Sequence, residues 1–344
     1  MCQTKLFQPI TLGRVELQHR VVMAPLTRFR ADENHVPLPM SVDCYTQRAS
    51  SPGTLIIAEA THISPRHCGG PHTTGIWNNV QIEGWRSVIK SVHAKGCVIY
   101  CQLIAPGRGG HLDGYPLYGP SAIVMSEDDT LNYIEDFKVA ARNAMEAGFD
   151  GIELHGANGY LIDQFIQDVS NTRTDKWGAP LKTAVAFAIG SDRVGVRLSP
   201  WSTYQGMKMR VAAAEKQFSD VIRRLKQSNI AYLYLIESRV INHIDTEKTK
   251  GLEFAFNIWE DQSLILVAGR FKADVAKMAV DEEYKDHDVL VVFGRYFVST
   301  PDLVYRLRHN IEPNPHNRST FYTPVQAKGY TDYPSDRMNE PSGH

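Results

Sequence analysis

Eight short, strongly apolar and β-branched runs recur along the chain, each separated from the next by a stretch long enough to hold a helix. They cover residues 20–26 (RVVMAPL), 54–60 (TLIIAEA), 97–103 (CVIYCQL), 151–155 (GIELH), 194–198 (VGVRL), 232–237 (YLYLIE), 264–268 (LILVA) and 289–293 (VLVVF). Near-continuous apolar character is what a strand covered on both faces needs, and strand–helix alternation is the signature of a parallel sheet. Two intervening stretches, 134–147 and 212–227, place apolar residues three and four apart with charges between, so they read as amphipathic helices. Eight such units predict an α/β fold, a closed (β/α)8 TIM barrel. An open doubly wound sheet is the alternative, but no G-x-G-x-x-G follows any of the runs.

A barrel of this kind routinely takes ~250 residues or more as one domain. The 344 residues are therefore read as a single barrel domain over 1–333, with 334–344 a disordered tail. Residues 7–19 read as a small hairpin around Leu12-Gly13-Arg14 that could plug the N-terminal end of the barrel. Lysine plus arginine number 37 against 38 aspartate plus glutamate, without the basic excess of a nucleic-acid binder. No apolar run reaches the ~18–20 residues that span a bilayer, and the first ten residues carry no signal-peptide core. A cytoplasmic protein without a membrane or nucleic-acid partner is expected. The five cysteines form no C-x-x-C pair, and Cys97 and Cys101 are expected as small buried packing residues.

Active sites in such barrels lie at the C-terminal ends of the strands, and polar residues gather at those positions here. Thr27 and Arg28 follow the first run, Glu59 and Thr61 mark the second, and Gln102 lies on the third. His155, Asn158 and Tyr160 follow the fourth, Arg197 lies on the fifth, and Glu237 and Arg239 close the sixth. Gly269-Arg270 and Gly294-Arg295 follow the seventh and eighth. A glycine after each of the last two strands is the layout of a phosphate site, because backbone N–H groups can approach an anion there and an arginine adds charge-assisted bonds. Two tight turns with surface arginines are the plainer alternative. In His155-x-x-Asn158-x-Tyr160, two donors could converge on a carbonyl oxygen while a phenol protonates carbon. A purely structural histidine is the competing reading. No run carries a lysine in its C-terminal half for Schiff-base chemistry, and the strand ends show no metal-ligand set. Glu59 and Glu237 could be a glycosidase pair, but the nearby arginines make ion pairs at least as natural.

Several stretches together carry a resemblance. They are RVVMAPLTRFRA (20–31), YTQRASSPGTLIIAEATHISP (45–65), Gln102-Leu103 with Gly107-Arg108, AGFDGIELHGANGYLIDQFIQDVSNTRTDKWG (147–178), RVGVRLSPW (193–201) and VVFGRYFVSTPDLVYRL (291–307). HGANGYLIDQF followed by SNTRTD is the most specific of them. The chain resembles the old yellow enzyme family of FMN-dependent ene-reductases, and within it the fungal branch of secondary-metabolism and ergot-alkaloid reductases. The resemblance implies that Pro25, Leu26 and Thr27 line the flavin, Ala60 packs against its ring, and Gln102 bonds its pyrimidine edge. It places Arg197 beside N1, and Gly269, Arg270, Gly294 and Arg295 around the phosphate. It implies that His155 and Asn158 hold the substrate carbonyl, that Tyr160 protonates the α-carbon, and that NADPH supplies the hydride. Tyr322 and either Phe254 or Phe256 would line the substrate side, and the substrate would be an α,β-unsaturated aldehyde or ketone. The protein would act as a monomer or homodimer.

Three departures from the family pattern stand out. The segment 178–192 is short, leaving at most two or three helical turns after strand four; the loop 109–130 after strand three is short; and Ile104 stands where the family often has tryptophan. A redox-neutral isomerase or cyclisation enzyme on the same scaffold, and a non-catalytic barrel remnant, are the alternative functions.

Overall fold

In the computed structural model, residues 4–109, 119–120, 125–175, 186–238, 240–241, 244–245 and 250–336 are described. The eight expected strands are β1 (Val21–Met23), β2 (Leu55–His62), β3 (Val98–Ile104), β4 (Gly151–Gly156), β5 (Val194–Leu198), β6 (Tyr232–Ile236), β7 (Leu264–Ala268) and β8 (Val289–Phe293). All pair in parallel with their neighbours, and β8 pairs with β1, so the sheet closes into a barrel. Strand β2 runs two residues beyond the expected end and shifts register between Ala58 and Thr61.

The helices are α1 (Pro39–Arg48), α2 (Asn79–His93), α3 (Glu127–Ala147), α4 (Leu161–Ile166), α5 (Ala186–Ile189), α6 (Val211–Lys226), α7 (Glu253–Trp259), α8 (Ala273–Met278), α9 (Arg295–Ser299) and α10 (Leu303–His309). Helix α3 starts seven residues before the apolar periodicity begins. Ser126 and Asp129 form a reciprocal capping box there, and Glu127, Asp128 and Asp129 sit in the first turn, where the helix dipole favours negative charge. Gly148, at φ 104°, ends the helix in a left-handed conformation that a Cβ would strain. No helix among the described residues is long and apolar enough to cross a membrane.

Two apolar layers result. Leu55, Ile57, Tyr100, Tyr232, Tyr234, Leu266 and Leu290 fill the inside of the barrel, while Trp85, Phe137, Phe218 and Trp259 pack in the larger cluster that includes the helices. The N-terminal hairpin pairs Ile10–Leu12 with Val15–Leu17 and delivers Leu12 and Leu17, both fully buried, into the inner cluster. At its turn Gly13 adopts φ +53°, and a Cβ there would lie 2.4 Å from the Asp192 carbonyl oxygen. The hairpin therefore closes the end of the barrel where β5 and β6 begin, as expected. Cys44, Cys68, Cys97 and Cys101 are free and buried, and burial pushes the Cys101 thiol up to about 12.

Only α5 stands between residue 175 and Gly190 among the described residues. Residues 178–185 of the short 178–192 segment, most of the 109–130 loop and the tail beyond 336 lie outside the described residues.

Candidate active site

The expected site residues lie at the C-terminal ends of the strands and on the turns that follow them. Pro25, Leu26 and Thr27 leave β1 half-exposed, whereas Ala60 on β2 and Gln102 on β3 are buried. From β4 the chain enters a tight turn, with Asn158 at φ 58° and Gly159 at φ 76°. Side-chain acceptors meet two backbone N–H groups of this turn. Asn158 N–H donates to Ser199 Oγ at 2.8 Å, and Gly159 N–H donates to Asp163 Oδ2 at 2.8 Å. Asp163 is fully buried and also accepts from Gln167, and desolvation raises its carboxyl to about 7.

The turn fixes the chemistry of His155. Its Nδ1 accepts the Ala157 N–H at 3.3 Å, so the neutral ring carries its proton on Nε2. Burial, together with the positive charge of Arg197, holds the imidazole well below its usual range. It is thus a neutral N–H donor at ordinary pH. Tyr160 stands edge-on to this ring, with centroids 4.8 Å apart and planes at 73°. Burial first, and then the neighbouring phenols Tyr204 and Tyr322, raise Tyr160 to about 12, so it keeps its proton.

Arg197 sits opposite His155 in the β4–β5 register. Its guanidinium lies 4.8 Å from the Tyr234 ring centroid, and its Nε is buried with no hydrogen-bond partner among the described residues. Gln102 donates through Nε2 to Glu153 Oε1 at 2.7 Å. Gly269 ends β7 so close to β6 that a Cβ would lie 2.3 Å from Glu237 Oε2, and Arg270, exposed, adopts φ 54°. Gly294 caps α9, and a Cβ there would meet only ordinary contacts, 3.7 Å from Leu26 and 3.9 Å from Ala24. Arg295 follows it, half-buried.

Tyr322 lies on a C-terminal strap, close enough to Tyr160 to act on it electrostatically. Two buried arginines that follow β1 tie this strap down. Arg28 donates to the carbonyls of Phe321 and Gly329 (2.9 and 2.6 Å), and Arg30 donates to those of Gln326 and Lys328 (3.0 and 3.2 Å). The Tyr330 ring lies 5.3 and 4.9 Å from the two guanidinium carbons. Tyr322 itself is 60% exposed and edge-on to Phe29. Phe256 does not line the substrate side, because it is buried in the outer layer with its ring stacked on Tyr284 at 4.8 Å. Phe254 packs edge-on against Trp201. Sequence reasoning missed Tyr204, which follows β5 and acts electrostatically on both Tyr160 and Tyr322. It also missed Ser199 and Asp163, which shape the turn.

Residues 5–314 match the NADH:flavin oxidoreductase / NADH oxidase family. The chain belongs to that family. It is 46% identical to chanoclavine-I aldehyde reductase fgaOx3 of Penicillium roqueforti over 356 aligned residues, covering 96% of each chain. It is 44% identical to the NADP-dependent oxidoreductase lnbE of Aspergillus flavus, again over 96% of each. It is 43% identical to the probable inactive reductase easA of Epichloe festucae var. lolii, covering 97% of this chain and 96% of the other. Among solved structures, the old yellow enzyme of Pichia sp. AKU4542 superposes with a TM-score of 0.88 at 31% identity, over 98% of this chain and 95% of that one.

The cofactor of the family is FMN, and the residues present suit it. The buried, unpartnered Nε of Arg197 points to an acceptor that the protein's own described atoms do not supply. Pro25, Leu26 and Thr27 offer a half-exposed surface for a flat ring, and the Gly294 backbone is open beside Leu26.

Proposed function

We propose that this protein is a flavin-dependent reductase of C=C bonds conjugated to an aldehyde or ketone carbonyl, with NADPH as the hydride source. The observation that carries this reading is the pairing of a neutral, Nε2-protonated His155 with a protonated Tyr160 at the same turn. The names of the fungal aldehyde reductase and the NADP-dependent relative support the substrate class and the reductant.

When bound, FMN would supply hydride transfer between NADPH and the β-carbon of the conjugated bond. Pro25, Leu26, Thr27, Ala60 and Gln102 would hold its ring, Arg197 its electron-rich edge, and Gly269, Arg270, Gly294 and Arg295 its phosphate. His155 Nε2–H and the Asn158 amide donate to the substrate carbonyl oxygen, polarising the conjugated bond and stabilising the negative charge that grows on that oxygen. A neutral imidazole suits this role, because it lends a hydrogen bond without surrendering its proton. Tyr160 delivers its proton to the α-carbon, and a phenol held near 12 is strong enough only once that carbon has become enolate-like. Tyr322 flanks the entrance on its anchored strap.

The test is an absorption spectrum of the purified protein, followed by anaerobic NADPH and then a 2-enal. The proposal expects a yellow protein that bleaches with NADPH and regains colour with the enal as the saturated aldehyde forms. A protein that takes up no FMN, or that bleaches but never returns colour to any conjugated aldehyde or ketone, refutes it.

A further inference from the structure

A carboxyl group lies inside the barrel beside the candidate site, and the chemistry above gives it no part. Glu153 on β4 is fully buried, with Gln102 directly opposite it on β3. Its Oε1 accepts from Gln102 Nε2 at 2.7 Å, and its Oε2 accepts from the Tyr232 hydroxyl at 2.9 Å. Tyr232 lies two strands away on β6, and the strand between them carries glycine at the crossing point. Gly195 pairs with Glu153 on one side and with Tyr232 on the other, and a Cβ on it would stand 2.0 Å from Tyr232 Cζ. The phenol therefore reaches the carboxylate over a strand that has no side chain there. Arg197, two residues along the same strand, is the cation whose field favours the ionised carboxylate.

Burial alone makes such a group costly, and an apolar residue of similar volume would serve the core as well. Its orientation has a consequence upward. An ionised carboxylate only accepts, so it turns the Gln102 amide with nitrogen toward itself and commits one of that nitrogen's protons. Its negative charge also offsets that of Arg197.

We infer that Glu153 is a positioning residue for the flavin: by bonding Gln102 and offsetting Arg197, it sets how tightly the cofactor is held and how readily it is reduced. This rests on the flavin reading above, in which Gln102 and Arg197 face the cofactor. Desolvation raises the carboxyl to about 7 against the lowering effects of Arg197, Gln102 and Tyr232, so the measurements are made at pH 9, well above that value.

The experiment compares the FMN-loaded wild type with Glu153→Gln and Glu153→Asp, reading the FMN dissociation constant and the midpoint potential. Glu153→Gln removes the negative charge beside Arg197 and so favours the reduced flavin. The expected shift is about tenfold in the oxidised-to-reduced ratio, or ~30 mV upward for two electrons. Glu153→Asp keeps the charge but withdraws the carboxylate from Gln102, so FMN binds about tenfold more weakly at an unchanged potential. Tyr232→Phe leaves the Gln102 bond in place and should bind FMN within twofold of wild type. An unchanged potential in Glu153→Gln, or wild-type affinity in Glu153→Asp, overturns the inference. So does a Tyr232→Phe variant that loses as much affinity as Glu153→Asp, since a loosened core would then be the cause. A wild type that takes up no FMN overturns this inference and the flavin reading together, whereas unchanged variants of a yellow wild type overturn this inference alone.

Discussion

Replacing Gly195 with alanine tests the buried crossing at its tightest point. The new methyl would stand 2.0, 2.3 and 2.5 Å from three carbons of the Tyr232 ring, where carbon atoms normally rest ~3.5–4.0 Å apart. The ring must therefore retreat by roughly 1.5 Å. It has little freedom to do so, being fully buried and tilted against Tyr100 at a centroid distance of 5.7 Å. Retreat also breaks the 2.9 Å bond to Glu153. Overpacking a core costs about 1–3 kcal/mol, and unpairing a buried polar group costs about 1–3 kcal/mol more. Allowing for partial relaxation, the expected loss is ~3 kcal/mol, or about 6 °C in melting temperature at ~2 °C per kcal/mol. Thermal unfolding followed by circular dichroism reads this directly. In a Tyr232→Leu background the same substitution should cost under ~1 kcal/mol, because the ring it strikes is gone. A melting temperature within ~1 °C of wild type for Gly195→Ala would refute the reasoning.

Three further outcomes are expected. Tyr160→Phe should slow reduction of a conjugated aldehyde by ~10²–10⁴-fold while NADPH still bleaches the flavin at the wild-type rate; equal loss in both half-reactions would remove Tyr160 from the proton-donor role. Asp163 has a folded-state carboxyl near 7 against an unfolded value of 3.8, so the folded state holds its proton more tightly and its stabilising effect fades as pH rises through about 7. The stability deficit of Asp163→Asn relative to wild type should therefore be larger at pH 5 than at pH 8 in urea unfolding, and a deficit that grows with pH would contradict the sign. Arg197→Met should weaken FMN binding by tenfold or more in a fluorescence titration, whereas unaltered affinity would show that its unpartnered Nε faces something else.

Most of the barrel was legible because a strand buried on both faces has little choice of residue. The β5, β7 and β8 boundaries fall where the apolar runs 194–198, 264–268 and 289–293 begin and end. Strand β2 was misjudged at its end because Thr61 and His62 look like loop residues, yet both remain paired to β3 after the register shift. The start of α3 was missed for a related reason, as Glu127, Asp128 and Asp129 read as solvent-exposed loop until the helix dipole is considered. At the site, strand-end position exposed His155, Tyr160 and Arg197 to sequence reasoning. The Glu153–Tyr232 contact was not readable, since it joins residues two strands apart across a glycine that looks like any other. Phe254 and Phe256 could not be told apart in sequence, because rotation along a short helix decides which ring is buried in the core, and that ring is Phe256.

The hairpin that closes the barrel floor also constrains the order in which the chain can fold. Its leucines belong to the inner cluster with Ala231 and Leu264, and Arg14 pairs with Asp192, 178 residues away. At the ~5–20 residues per second of protein synthesis, the N-terminal segment would wait about 10–35 s for that partner to be made. During that interval Leu12 and Leu17 have no native burial, and closing so long a loop comes late on entropic grounds. A hairpin made well before its partners is thus among the last elements to settle, and a nascent chain halted before β6 would present an apolar hairpin to whatever chaperone is nearby.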